Sequence, residues 1–381
     1  MAVPILDLRR SFENIRPEIE SRLKKIFDDQ SFILGQDVKD FENHCEKYLE
    51  VPEGSCVSCA SGTDALLLAL MASDIHEGDE VITTPFTFFA TSGAIARLGA
   101  KPVFADVDPY TYNIDINDAM KRITSKTKAF LPVHLFGQVC AFENVIDELH
   151  DKDITIIEDS AQAFGACRIV DDGKKILRAG VIGDTGCYSF FPTKNLGGCG
   201  DAGMVVTKDS EKAERLKRLR VHGSGETYYH DEIGINSRLD SIQAAILDVK
   251  LKYLETWNEE RRRIAEYYRL LFNTHDLHDV VIVPSELENN RHIYHQYVVR
   301  VKAKRNELMN YLNENGFAVR VYYPLSLHLQ PCFRYLGYHE GDFPVSEMLT
   351  REVLALPVFP GLKAQEQEAL VECISKFFGR N

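Results

Sequence analysis

Cysteine and tyrosine apart, Lys194 is the only ionisable side chain between Asp184 and Asp201. It follows the short apolar run 187–191 and Pro192. It precedes Gly197, Gly198 and Gly200, whose small size admits close approach of backbone or ligand. An amine in such a setting can lose its proton and attack a carbonyl. A surface lysine in a glycine-rich loop is the plain alternative. Upstream, Ser61-Gly62-Thr63 separates a short apolar run from a strongly helical one. Free N–H groups at a helix start, with hydroxyls beside them, can hold a phosphate. A hydroxyl cap on a buried helix would use the same residues. Asp159 and Gln162 share one turn after the apolar run 154–157, and Phe88 and Ser189 add a ring and a hydroxyl. Taken singly, Asp159 could cap a helix, Phe88 could be core, and Ser189 could be a satisfied strand hydroxyl.

What would position these groups is an alternation of short strands and helices. Two amphipathic helices over 11–28 and 37–50 come first, then a strand turning at Ser61 into the apolar helical run. Strands follow at 81–84, 103–107, 129–134, 154–157, 187–191 and 204–207, with helical stretches to about 98 and over 142–151. Such a series indicates a parallel-rich α/β sheet, whose ligands sit beyond the carboxyl ends of its strands. Ser61-Gly62-Thr63, Phe88, Asp159 with Gln162, and Ser189 with Lys194 all fall at or just after such ends. A basic helix over 209–222 reads as a solvated face. Beyond it a long helix over 240–272 carries the only Trp, Trp257, and bridges to a smaller α+β domain. That domain is read as a strand over 293–301, a helix over 303–315, a strand over 318–323 and a last helix over 363–378. The expected division is 1–254, a large domain with an N-terminal helical segment, and 255–381, a small C-terminal one.

An amine, a phosphate cradle, an aromatic ring and a carboxylate at one sheet edge suit pyridoxal 5'-phosphate (PLP), for which a protein supplies binding, orientation and electrostatics. Lys194 would hold the aldehyde and later move protons as general acid and base. Asp159 would pair with the pyridine nitrogen, Phe88 would cover the ring and Gln162 would reach the phenolic oxygen. Gly62, Thr63 and Ser189 would take the phosphate.

The segments Ser61-Gly-Thr-Asp-Ala-Leu66, Thr84-Pro-Phe-Thr-Phe-Phe-Ala-Thr91, Ile157-Glu-Asp-Ser-Ala-Gln-Ala-Phe-Gly165 and Ser189-Phe-Phe-Pro-Thr-Lys-Asn-Leu196 resemble the DegT/DnrJ/EryC1/StrS family. So do Gly234-Ile-Asn-Ser-Arg-Leu-Asp-Ser-Ile-Gln-Ala-Ala245 and Tyr323-Pro-Leu-Ser-Leu-His-Leu-Gln-Pro331. The similarity runs from about residue 3 to the C-terminus, with the motifs in order. It implies a PLP-dependent nucleotide-sugar aminotransferase of fold type I, the aspartate-aminotransferase fold: a mixed, mostly parallel sheet flanked by helices, plus a smaller C-terminal domain. It further implies a homodimer with active sites at the interface, where Asn236 would reach the cofactor phosphate of the partner subunit. Arg238, Tyr323 and His328 would lie near the sugar nucleotide. Some members with His at the lysine position act as sugar dehydratases, so Lys194 favours transamination. The substrates implied are L-glutamate and a UDP- or dTDP-linked keto sugar, with the loop 323–331 closer to the branch that aminates C3 than C4. The alternatives are a dehydratase or eliminase of the same fold, or a PLP-binding regulator without turnover.

Composition narrows the classes. The net charge of -13 and the absence of a basic run argue against nucleic acid as a partner. No stretch approaches a membrane span, and no basic and apolar leader precedes the first helix. Nine cysteines without framework spacing suggest free thiols in a reducing compartment, and the cytoplasm is the expected address. Cys56 and Cys59 form a C-x-x-C with no second pair or His cluster, so no metal site is expected.

Overall fold

The computed structural model describes residues 2–170, 173–226 and 228–380. Its centre is a seven-stranded sheet with the order Cys56–Cys59, Gly203–Val206, Thr185–Ser189, Thr155–Asp159, Thr127–Phe130, Glu80–Thr83, Lys101–Phe104. Gly203–Val206 runs antiparallel to both of its neighbours, and the other pairs are parallel. The expected mixed, mostly parallel sheet is therefore present. Its strands read as continuous apolar runs because helices cover both faces. Between flanking helices and sheet, Leu66, Leu70, Ile95, Val81, Ala129 and Ile157 form one core cluster, and Phe41, Phe190, Met204 and Leu247 belong to another.

The helix Gly62–Ala72 starts where it does because Ser61 is extended and its Oγ accepts from the Asp64 N–H at 3.1 Å. Its Ala-Leu-Leu-Leu-Ala-Leu run is buried, so it lies under the sheet with its N-terminus at the strand ends. A third core lies mainly beyond residue 254. There Tyr268, Tyr297, Leu308, Leu354 and Leu370 pack around a three-stranded antiparallel sheet of Val281–Ile282, Tyr297–Val301 and Val353–Leu356.

Several boundaries differ from the sequence reading, each for a local reason. The long helix over 240–272 is two helices, Ser241–Leu251 and Leu254–Thr274. At the break Tyr253 packs against Trp257 with ring centroids 5.9 Å apart, while apolar periodicity continues on both sides and hides the joint. The strand expected over 293–301 begins only at Tyr297. Residues before it are held outside the sheet, because Ile293 N–H bonds Gly137 O and Arg261 takes the Tyr294 and His295 carbonyls. The stretch 318–323 makes a single bridge, Arg320 to Ala355, rather than a strand. The helix Pro344–Glu352, the strand Val353–Leu356 and the hairpin of Cys167–Val170 with Lys175–Arg178 have no counterpart in the sequence reading.

Candidate active site

A cavity of ≈ 690 Å³ opens at the carboxyl ends of the parallel strands. Gly62, Thr63, Phe88, Asp159, Gln162, Ser189, Lys194 and Tyr323 all line it, so eight of the eleven residues singled out from sequence converge. The strands Thr155–Asp159 and Thr185–Ser189 are parallel neighbours that end at Asp159 and Ser189. Lys194 follows in a turn whose backbone N–H donates to Phe191 O at 2.8 Å.

Each group is held by specific partners. Asp159 is 5% exposed, and Thr91 Oγ1 donates to its Oδ2 at 2.7 Å while Ala161 N–H donates to Oδ1 at 3.1 Å. Burial pushes the Asp159 carboxyl up, and these two hydrogen bonds with the Lys194 charge pull it back. Burial drives the Lys194 amine down to about 8, opposed by the Asp159 charge. Near neutral pH this lysine is therefore much more readily unprotonated than a solvated one. Gln162 is clamped at both ends of its amide: Oε1 accepts from Phe136 N–H at 2.8 Å and Nε2 donates to Tyr323 Oη at 3.0 Å. Phe88 exposes 58% of its surface at the cavity wall. The start of the helix lies so close to Ser189 that a Cβ at Gly62 would meet Ser189 Cβ at 2.4 Å. Only glycine fits there.

Under Asp159 lies a rigid floor. Glu158 is fully buried and accepts from the N–H groups of Gly180, Ile182 and Gly183, each at 2.7 Å. His134 Nδ1 accepts from Cys140 N–H, so Nε2 carries the ring proton and donates to Glu158 Oε2 at 2.7 Å. The His134 backbone N–H in turn donates to Asp159 O at 3.0 Å.

Three residues are not brought to the cavity. His328 is 1% exposed and bonded to Ser326 Oγ at 2.8 Å and Glu347 Oε1 at 3.2 Å, so it braces its own loop instead of facing a ligand. Asn236 is exposed and bridges Val221, and Arg238 is half-buried two residues on. Their loop is nevertheless tied to the helix start, since Ser237 Oγ donates to Asp64 Oδ2 at 2.7 Å and accepts from Ala60 N–H at 3.1 Å.

The sequence reading missed Thr91, His295 and Gln296. Thr91 lies one helical turn after Thr87, and their hydroxyls are 3.2 Å apart, a spacing that could have signalled a shared face. His295 was concealed by the strand assigned to its segment. Asn195 Nδ2 donates to Asn258 Oδ1 and Ile293 O, so its Oδ1 accepts from His295 Nδ1–H at 3.1 Å. Burial and the nearby Lys194 and Arg261 charges push the His295 ring well below the usual histidine range, which keeps it neutral.

Comparison with known proteins decides the family. Residues 13–375 match the DegT/DnrJ/EryC1/StrS aminotransferase family. The chain belongs to it. Among curated members, this aminotransferase-family chain is 47% identical over 379 residues to a Geobacillus stearothermophilus protein named "Pleiotropic regulatory protein", covering 99% of both. It is 42% identical over 365 residues, 96% of this chain and 95% of the other, to a UDP-N-acetyl-3-dehydro-alpha-D-glucosamine 3-aminotransferase of Acidithiobacillus ferrooxidans. Among solved structures it superposes on S. venezuelae DesV "in complex with ketimine intermediate" with TM-score 0.93 at 34% identity, covering 100% of this chain and 99% of that one. The DegT/DnrJ/EryC1/StrS fold thus spans the described chain.

The C-x-x-C of this family member lies in the buried strand Cys56–Cys59. Cys56 and Cys59 are buried free thiols, and burial pushes Cys59 up to about 12. Among the described residues no cluster of three His, Cys, Asp or Glu side chains could hold a metal. No helix among them is long and apolar enough to cross a membrane.

Proposed function

We propose that this aminotransferase moves the amino group of L-glutamate to the C3 keto group of a UDP- or dTDP-linked sugar in the cytoplasm. The observation that carries the reading is Lys194 with a lowered proton affinity in one cavity with buried Asp159.

The residues fit PLP. The contact between Gly62 and Ser189 leaves a cradle that a Cβ would fill, at a helix N-terminus suited to a phosphate. Thr63 and Ser189 add hydroxyls, Phe88 offers a ring face and Gln162 offers its clamped amide. When bound, PLP supplies an aldehyde and a ring that draws electrons from the carbon bearing the amine. Lys194 Nζ would hold that aldehyde and, when free of it, would serve as the general acid and base that moves the proton. Asp159, kept in place by Thr91 and Ala161, would pair with the pyridine nitrogen and keep a proton there. Tyr323 orients Gln162 and closes the wall beside Phe88, with ring centroids 6.4 Å apart.

The C3 preference rests on the Acidithiobacillus relative, whose name specifies a 3-amino product. Exposed Phe88, Tyr228, Tyr229 and Ile233 support a homodimer with the cavity near the interface, where Asn236 of one chain serves the other. We also propose the division into 1–254 and 255–381, since one core is formed chiefly by residues after 254.

A regulator without turnover is favoured by the name of the Geobacillus relative. Against it stands the full set of Lys194, Asp159 and Gln162. The deciding experiment supplies 3-keto and 4-keto nucleotide sugars with L-glutamate and identifies the products by mass spectrometry. The amine is expected at C3 with 2-oxoglutarate released. Turnover of the 4-keto isomer alone would overturn the C3 assignment, and no turnover with either would favour the regulator.

A further inference from the structure

A second cavity of ≈ 320 Å³ shares Lys194 with the first. Its wall includes Pro192, the loop 197–199, the N-terminal segment around 6–16, Lys250 and Arg261. The two carboxylates of that wall are already engaged. Asp7 pairs with Arg9 at 3.1 Å and Arg10 at 3.5 Å, and Glu13 with Arg16 at 3.5 Å.

Arg261 has no such partner. It is 3% exposed, and among the described residues no carboxylate lies within ion-pair distance. One nitrogen, Nη1, donates to the carbonyls of Tyr294, His295 and Val358 at 3.1, 3.3 and 2.9 Å. Its Nε is buried with no hydrogen-bond partner. Lys250, half-buried, is a second cation with no carboxylate partner among the described residues; its Nζ donates to Gly197 O at 2.6 Å and lies 5.7 Å from the Phe12 ring centroid. Burial alone drives the guanidinium down to about 10, and burial lowers the lysine against the opposing effect of the Cys199 thiol on the same wall. A buried charge is costly unless paired, and two facing one cavity call for a counter-charge.

We infer that this cavity is a binding site for a small oxyanion, inorganic phosphate or a carboxylate of similar size, held by Arg261 and Lys250. The inference does not depend on the sugar reading above. Such an anion would act on the catalytic cavity by two routes. It adds negative charge beside Lys194, and it loads the arginine that holds the backbone of His295, which lines the other cavity.

The test is equilibrium dialysis of the holoenzyme against labelled inorganic phosphate, with excess PLP present and ionic strength fixed with chloride. About one saturable site per chain is expected, weakened about tenfold or more by Lys250→Met, from the loss of one charge-assisted contact. Ser11→Tyr, which fills the cavity from its wall, should abolish it. Arg261→Gln should also do so, and the other two variants carry the test if that one fails to fold. Displacement by acetate would assign a carboxylate, and displacement by sulfate alone a phosphate-like anion; either supports the site. Absence of saturable binding would mean a water-filled cavity and overturn it. So would phosphate binding that persists unchanged in Lys250→Met and is displaced by nucleotide sugar, which would belong to the other cavity.

Discussion

Thr91 Oγ1 donates a hydrogen bond to Asp159 Oδ2 at 2.7 Å, linking the first turn of the helix Ala90–Arg97 to the end of a central strand. The contact stabilises the ionised carboxylate against the burial that raises its pKa. Thr91→Val should therefore lower kcat by about tenfold to a hundredfold, the worth of one hydrogen bond to a charged group. Thr91→Ser should restore most of it. A structural role alone would lower thermal stability without this rescue pattern.

Lys194 gives a signed pH dependence in the cofactor-free protein. Its folded pKa, about 8, lies below the ordinary lysine value near 10.5. Between these values the unfolded chain binds more protons, so the contribution of Lys194 to stability rises with pH through that window. Below it both states are protonated and the buried charge is destabilising. Lys194→Met should be more stable than the parent at pH 7, with the gap narrowing as pH climbs from 8 towards 10.5. Urea denaturation of both apo proteins across that range checks the sign.

At Gly62 the consequence is steric. A methyl group at 2.4 Å from Ser189 Cβ must displace either the helix start or the strand end. Gly62→Ala is expected to cost about 1–3 kcal/mol of stability, as other overpacked sites do. It should also weaken PLP binding out of proportion to its effect on folding, measured by cofactor titration beside thermal unfolding.

Glu158 should behave in the opposite way to Lys194. It accepts three backbone N–H groups and the His134 ring while fully buried. Glu158→Ala strands all four donors and should destabilise the protein by about 3–5 kcal/mol, as broken buried pairs do. A denaturation midpoint in Glu158→Ala equal to or above that of the parent would contradict the role given to this floor.

How much of this was legible beforehand depended on whether a residue's neighbours were local. Lys194, Asp159 and Gly62 declared themselves because strand ends in an α/β sheet converge, and each stands within a few residues of one. The break at Tyr253 was hidden because apolar periodicity continues through it. His295 was hidden because its backbone is drawn out of the strand pattern by Arg261 and Gly137, far away in sequence. The failure of His328 to reach the cavity follows from Ser326 and Glu347, whose contacts no spacing rule reports.

The central claim, that Lys194 and Asp159 hold PLP for amino transfer in this cavity, is tested most directly by the absorption spectrum of the purified holoprotein during L-glutamate titration. The account expects a yellow band that gives way to the pyridoxamine spectrum with about one 2-oxoglutarate released per chain, and that is absent in Lys194→Ala. A protein that binds no PLP, or whose band glutamate leaves unchanged, would contradict it.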